Sequence, residues 1–200
     1  MDNKILITVG RQIGAGGLDT ARALSKKLDI PVYDKELLTI ASLESGINQE
    51  FFEHKDEKPV SSSSFARFFD TQNYVPETAI SQDKLFSTQS EVILKAAQSG
   101  SGIFVGRCAD YIIRDFPKVL RVFITADMPD RVARLSKSWT MSEDDIRKMI
   151  EREDKKRAAY YNYYTFKKWG DSSSYDLCLN SSKFGIDNCV DTIINMLNNL

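Results

Sequence analysis

The segment that most constrains this chain is "ILITVGRQIGAGGLDTARALSKKL", residues 5–28. Its opening run, "ILITV", is apolar and β-branched and reads as a short strand. The glycine-rich "GRQIGAGG" at 10–17 follows directly, and apolar residues at 18, 21, 24 and 28 then mark one face of a helix. Strand, tight glycine turn and helix steer the chain toward a parallel sheet covered by helices. The same turn is a place for an anion: small residues let successive N–H groups point inward, and the helix start adds partial positive charge. Glycines in such a turn can also serve close packing alone, so the flanking elements carry the reading. Gln12, Ile13, Gly14, Ala15, Gly16, Gly17 and Leu18 form the candidate phosphate cradle.

The usual phosphate-loop pattern is GxxxxGK[ST], and here the lysine is missing. If Gly14-Ala15-Gly16 close the loop, the lysine position falls on Gly17 and the hydroxyl position on Leu18. Arg11 is the nearest cation, and its planar fork suits phosphate oxygens. A hydroxyl or carboxylate for Mg²⁺ is displaced to Asp19 or Thr20.

The rest of the chain continues the rhythm of strand and helix. "PVYD" is a short strand, and residues 34–46 read as a helix with Asp34 as its N-cap. Residues 47–82 are less regular, with a charge run at "HKDEKP" and a serine run at "VSSSSF". Residues 83–98 regain helical period, and "IFVG" and "VLRVFITA" are apolar strands of the kind a buried parallel sheet uses. "MPDRVARLSKS" and "MSEDDIRKMIEREDKKRAAYYNYY" are helical, the second opened by Ser142 and Asp145 as a capping box. "YDLCLNS" is a last strand and "GIDNCVDTIINMLNNL" a last helix. "IFVGRCADYI" places Arg107 just past a strand end, on the rim where open α/β sheets bind ligands. Asp34 and the 11–17 loop fall on the same rim. Asp154 and Arg157, three apart on one helix, add an acid and a base.

Composition excludes several classes. A net charge of -1 gives no whole-chain argument for nucleic acid or an anionic membrane. Basic residues nevertheless outnumber acidic ones between Lys118 and Lys168, so that part can face a small anion. No apolar run approaches the roughly 20 residues of a membrane span, and no secretory signal is evident. Three scattered cysteines form no metal pattern, and the single histidine, His54, lies in a charged stretch and reads as solvated. A cytoplasmic protein with reduced thiols is expected.

Taken together, "RQIGAGGLDTARALSKKLDIPVYDKEL", "VGRCADYI", "VLRVFITADMPDRVARL", "DKKRAAYYNYYTFKKWGD" and "YDLCLNSSKFGI" resemble the cytidylate kinase-like family of P-loop nucleoside monophosphate kinases, nearly end to end. The likeness to bacterial cytidylate kinases, with GPSGSGKGT, YLDSG, DGRD and ERDDRDR segments, is looser but runs in the same order. The resemblance implies a three-layer P-loop NTPase-type α/β sandwich in one domain, 1–200, on a five-stranded parallel sheet. It implies a helical acceptor-binding excursion over 35–98, shaped in part by Phe65, Phe68 and Phe69, and a lid within 140–172. It implies that Asp34 helps hold the acceptor nucleotide, that Arg107 contacts it, and that Asp154 and Arg157 sit near its ribose and phosphate. Arg131 looks like a lid-side arginine near the donor phosphates. Gly17 for the lysine, Cys108 for the aspartate after GR, and Leu18 and Asp19 for the small and hydroxyl residues are departures from the pattern.

The expected activity is ATP- and Mg²⁺-dependent phosphoryl transfer to a nucleoside monophosphate, CMP or a related pyrimidine nucleotide. Arg11, Arg131 and Arg157 would neutralise the transferred group, with Arg107 at the acceptor. The alternative is a non-catalytic nucleotide sensor that has lost the loop lysine. Expected partners are small nucleotides, with no nucleic acid and no membrane, in a monomer or homodimer.

Overall fold

The computed structural model of the protein describes residues 4–35, 37–38 and 82–199. Strands β1 (Leu6–Arg11), β2 (Val32–Tyr33), β3 (Gly102–Val105), β4 (Val119–Thr125) and β5 (Leu177–Asn180) form one sheet, in the order β2-β3-β1-β4-β5. Every neighbouring pair is parallel, so the expected five-stranded α/β core is present. The described helices are α1 (Gly17–Leu28), α2 (Gln82–Ser99), α3 (Ala109–Ile112), α4 (Met128–Ser136), α5 (Glu143–Thr165) and α6 (Ser181–Leu197).

Strand alternation sorts the core into two layers. Ile7 and Val9 of β1, with Ile103, Val105, Val122 and Ile124, face α1 and α6 and pack on Ala21, Leu24, Cys189, Val190 and Ile193. Leu6 and Phe104 face the other way, onto Ile93 and Ala97 of α2 and Ala109 and Ile113 around α3. Each fully buried Ile or Leu here contributes roughly 2 kcal/mol of transfer free energy. The chain leaves β1 for one face and β3 for the other. The crevice between these two adjacent strand ends is where an open α/β sheet accepts a ligand.

A third, smaller cluster joins α4 to α5 through Val132, Ile146, Met149 and Ile150, with the loop residue Ile13 packed against it. Helix α5 begins where the capping box placed it: Ser142 Oγ accepts the Asp145 N–H at 3.2 Å and donates to Asp145 Oδ2 at 2.6 Å. Within the stretch expected as a lid, 140–172, residues 143–165 are therefore a 23-residue helix whose Ile146 and Ile150 are fully buried. Its tyrosine-rich end packs on α2, with Phe86 and Tyr164 rings stacked 3.9 Å apart. The last helix starts earlier than its sequence suggests. Asn180 accepts the Ser182 N–H at 2.9 Å and opens a turn at Ser181, and the axis breaks at Gly185 before the amphipathic run resumes. Most of the expected excursion, from 39 to 81 and including Phe65, Phe68 and Phe69, lies outside the described residues. No described helix is long and apolar enough to cross a membrane.

Candidate active site

The 11–17 loop is fixed by four separate parts of the chain: the end of β4, α4, α5 and the start of α6. Gln12 N–H donates to the Ile124 carbonyl at 3.1 Å, and Gln12 Oε1 accepts from the Thr125 hydroxyl and, at 3.3 Å, from the Ala126 N–H. Ile13 is held on both sides of its peptide: its N–H donates to Asp154 Oδ1 at 2.9 Å, and its carbonyl accepts Arg131 Nε at 2.7 Å. Arg131 closes the triangle through an ion pair to Asp154 Oδ2. Ser181 Oγ donates to the Ala15 carbonyl at 2.7 Å, and Arg134 Nη1 donates to the Gly14 carbonyl.

Within the loop, the Ala15 N–H donates to the Gln12 carbonyl at 3.3 Å. Gly14 and Gly16 adopt positive φ, of 72° and 78°, and Gly16 caps α1 with no side chain over the first-turn amides. Those N–H groups lack intrahelical partners and form a nest for an anion. Thr20, one of the two residues expected near Mg²⁺, is fully buried and donates its hydroxyl to the Gly16 carbonyl at 2.9 Å. Asp19, the other, is exposed in the first turn of α1.

Beside the nest, in the crevice between β1 and β3, cations converge. The cleft there is lined by Arg11, Lys35, Arg107, Lys156 and Arg157, with Tyr160, Tyr161, Trp169 and Tyr175 as aromatic walls. Burial, then the Arg157 and Arg107 guanidiniums, push Arg11 down to about 9, against the pull of Asp34. Burial also lowers Lys35, aided by Arg107, Arg157 and Arg11. Burial likewise lowers Arg157, and its Nη1 is buried with no hydrogen-bond acceptor among the described residues; Asp154 Oδ1 stands 3.7 Å away. A buried guanidinium nitrogen without an acceptor, among other guanidiniums, is a site in want of an anion.

The turn after β3 aims Arg107 into this cleft. Gly106, Arg107 and Cys108 take φ of 74°, 54° and 57°, three successive left-handed residues closed by Ala109 N–H on the Gly106 carbonyl at 3.1 Å. Such conformations cost on the order of 1 kcal/mol for each non-glycine residue and cluster at functional sites. Arg107 lies over the Tyr160 ring at 5.7 Å. Asp34 accepts the Leu37 N–H at 3.0 Å, the N-cap its position suggested, while its charge reaches Arg11. Cys108 is buried, its thiol pushed up to about 12 by desolvation. Asp110 accepts the Tyr161 hydroxyl at 2.7 Å, and burial raises its carboxyl above the usual aspartate range.

Of the residues singled out from sequence, the structure gathers Arg11, Arg107 and Arg157 on the cleft, with Asp34 close enough to act on Arg11. Arg131 and Asp154 lie instead beneath the loop, Arg131 only 4% exposed, with their charged groups engaged by Ile13 and each other. Lys35 and Ser181 were not singled out. Arg134, which stands with Arg131 in the DRVARL stretch, lies three residues after it, and both reach the loop from one side of α4.

The sequence matches the profile of the cytidylate kinase-like family over residues 6–183. A cytidylate kinase of Methanococcus maripaludis (strain C5) is 33% identical over 110 residues, covering 54% of this chain and 61% of that protein, so the chain spans about six tenths of that relative's length. A crystal structure of an uncharacterized protein from Eubacterium ventriosum superposes with a TM-score of 0.75 at 28% identity, over 98% of this chain and 99% of that one. Shikimate kinase from Bacteroides thetaiotaomicron shares the fold, with a TM-score of 0.58 at 14% identity over 97% and 98% of the two chains.

Proposed function

The chain belongs to the cytidylate kinase-like family, and on that premise we propose that it transfers a phosphoryl group from ATP to a nucleoside monophosphate, with CMP as the acceptor. The observation that carries this reading is the convergence of Arg11, Arg107 and Arg157 on the crevice beside the uncapped amides of α1. Phosphoryl transfer asks little covalent chemistry of a protein; it asks for alignment and for charge placed in advance on the phosphoryl oxygens. The amides of Gly14 and of residues 16–18 hold the donor phosphates, the Ala15 N–H being engaged by the Gln12 carbonyl. Arg107 and Arg157 hold the acceptor phosphate, and Arg11 lies between the two. Asp154 and Arg131 act as positioning residues that keep the loop in register.

Mg²⁺ keeps several waters and takes one or two carboxylates plus substrate phosphates, a need the exposed Asp19 meets without Thr20. Asp19 would hold the ion beside the loop, and the chemistry supplied there when ATP is bound would be neutralisation of phosphate charge.

The test is a panel of nucleoside monophosphates incubated with ATP and Mg²⁺, read as diphosphate product. CMP is expected to give the highest kcat/KM. A second reading, nucleotide binding without transfer, is favoured by the inward turn of the Thr20 hydroxyl and the glycine at position 17. ATP binding with no product from any acceptor would establish that reading instead.

A further inference from the structure

Positions 7, 9 and 11 of β1 share one face of the sheet, so Arg11 leaves the strand on the side of α1. Its stem runs directly beneath the start of that helix. A Cβ added at Gly17 would lie 2.5 Å from Arg11 Cβ and 2.8 Å from Arg11 Cγ. These are the stiff inner atoms of the side chain, and no rotamer change moves Cβ away. Farther out, the guanidinium crosses the turn after β3. A Cβ at Gly106 would overlap Arg11 Nη1, and the φ of 74° there already favours glycine. Arg11 therefore lies in a track with a glycine at each end. One of those glycines stands where a phosphate loop ordinarily carries its lysine.

We propose that Arg11 and Gly17 are one functional unit: the strand-end arginine fills the space that a side chain at position 17 would occupy and supplies the missing loop charge from below, displaced toward the acceptor side by its passage over Gly106. The lysine is not simply absent, because its place is taken. The guanidinium ends among Arg107 and Arg157, so its charge acts on the acceptor phosphate and the group in transfer more than on the donor's inner phosphates. No bond to Arg11 forms or breaks; it orients and neutralises. This rests on the proposed kinase reading for its catalytic part, while the anion site itself does not.

The test is a side-chain exchange, read by protection against thermal unfolding with inorganic phosphate and by transfer. Gly17→Lys alone should lower the Tm and lose phosphate protection, because Arg11 blocks the new stem. Arg11→Gly alone should fold, lose phosphate protection and lose transfer by 100-fold or more, with ATP affinity changed less than 5-fold; losses of this size follow removal of one preorganised charge. The double variant Arg11→Gly with Gly17→Lys should regain phosphate protection and at least 10-fold of the transfer lost in Arg11→Gly. Arg11→Ala in place of Arg11→Gly should not support that recovery, since its Cβ remains in the way. Should Gly17→Lys fail to fold, Gly17→Ala supplies the same comparison by Tm: destabilising beside Arg11, neutral or better in the Arg11→Gly background. A Gly17 variant as stable and as protected as the parent would overturn the inference, as would a double variant no better than Arg11→Gly. If the parent transfers phosphate to no acceptor yet these protection patterns hold, the kinase reading fails and the paired-position inference stands.

Discussion

Asp154, on α5, accepts the backbone N–H of Ile13, 141 residues earlier in the chain, at 2.9 Å. With the other oxygen it pairs the buried guanidinium of Arg131, which in turn holds the Ile13 carbonyl. One carboxylate thus fixes both the phosphate loop and the cation beneath it.

Asp154→Ala leaves Arg131 charged, buried and unpaired, and removing one partner of such a pair costs about 3 kcal/mol. Denaturant titration should show that loss, and ATP affinity should fall with it because Ile13 is released. Asp154→Asn still offers an oxygen to Ile13 and should recover part of the ATP affinity but little of the stability. Equal recovery of both would show that the loop is anchored elsewhere.

Arg157 predicts a trade between stability and binding. Its Nη1 has no hydrogen-bond acceptor among the described residues, and burial lowers the pKa of Arg157 against the pull of Asp154 and Glu153, with Arg131 and Arg107 adding repulsion. Arg157→Met keeps the length of the stem and removes the charge, so the unliganded protein should gain about 1 kcal/mol, discounted for partial exposure. Stabilisation by added nucleotide should shrink in the same variant. A less stable protein with full nucleotide response would contradict the assignment.

Asp110 should make stability fall as pH rises. Burial lifts its folded pKa above the unfolded value, so the native state binds more protons between the two. Unfolding free energy then decreases as pH rises from the ordinary aspartate range through the raised folded pKa. Asp110→Asn, whose amide oxygen can still accept from the Tyr161 hydroxyl, should be more stable than the parent at pH 7 and converge with it below about pH 4. A constant difference across that range would rule out titration of Asp110 as the cause.

Cysteine reactivity should separate the three thiols. Cys108 and Cys189 are buried and Cys178 is exposed. Burial raises all three, and Cys108 to about 12. Brief alkylation of the native protein at pH 8 should add one group, at Cys178, and alkylation after denaturation should add three. Modification of native Cys108 would mean that the turn after β3 opens.

The strand, glycine loop and helix at 5–28, the apolar strands at 102–105 and 119–125, the Asp34 N-cap and the Ser142 capping box were all legible, because each is written in residues a few places apart. Arg107 at a strand end was legible for the same reason. The start of the last helix was not. Its first turn, "SSKF", has no apolar period, and it forms because Asn180 caps it and Ser181 reaches Ala15.

Sequence alone determined that a glycine-rich strand-to-helix turn stands at 11–17 and that position 17 carries no lysine, since spacing and residue type decide both. It could not show where the charge went. That depends on the parity of β1 placing Arg11 under α1, and on a second glycine, Gly106, brought alongside from 95 positions away by the pairing of β1 with β3. Nor could it show that Asp154 and Arg131 meet each other and both sides of the Ile13 peptide. Such contacts are set by how the sheet and helices pack, because packing joins residues that no local pattern in the chain connects.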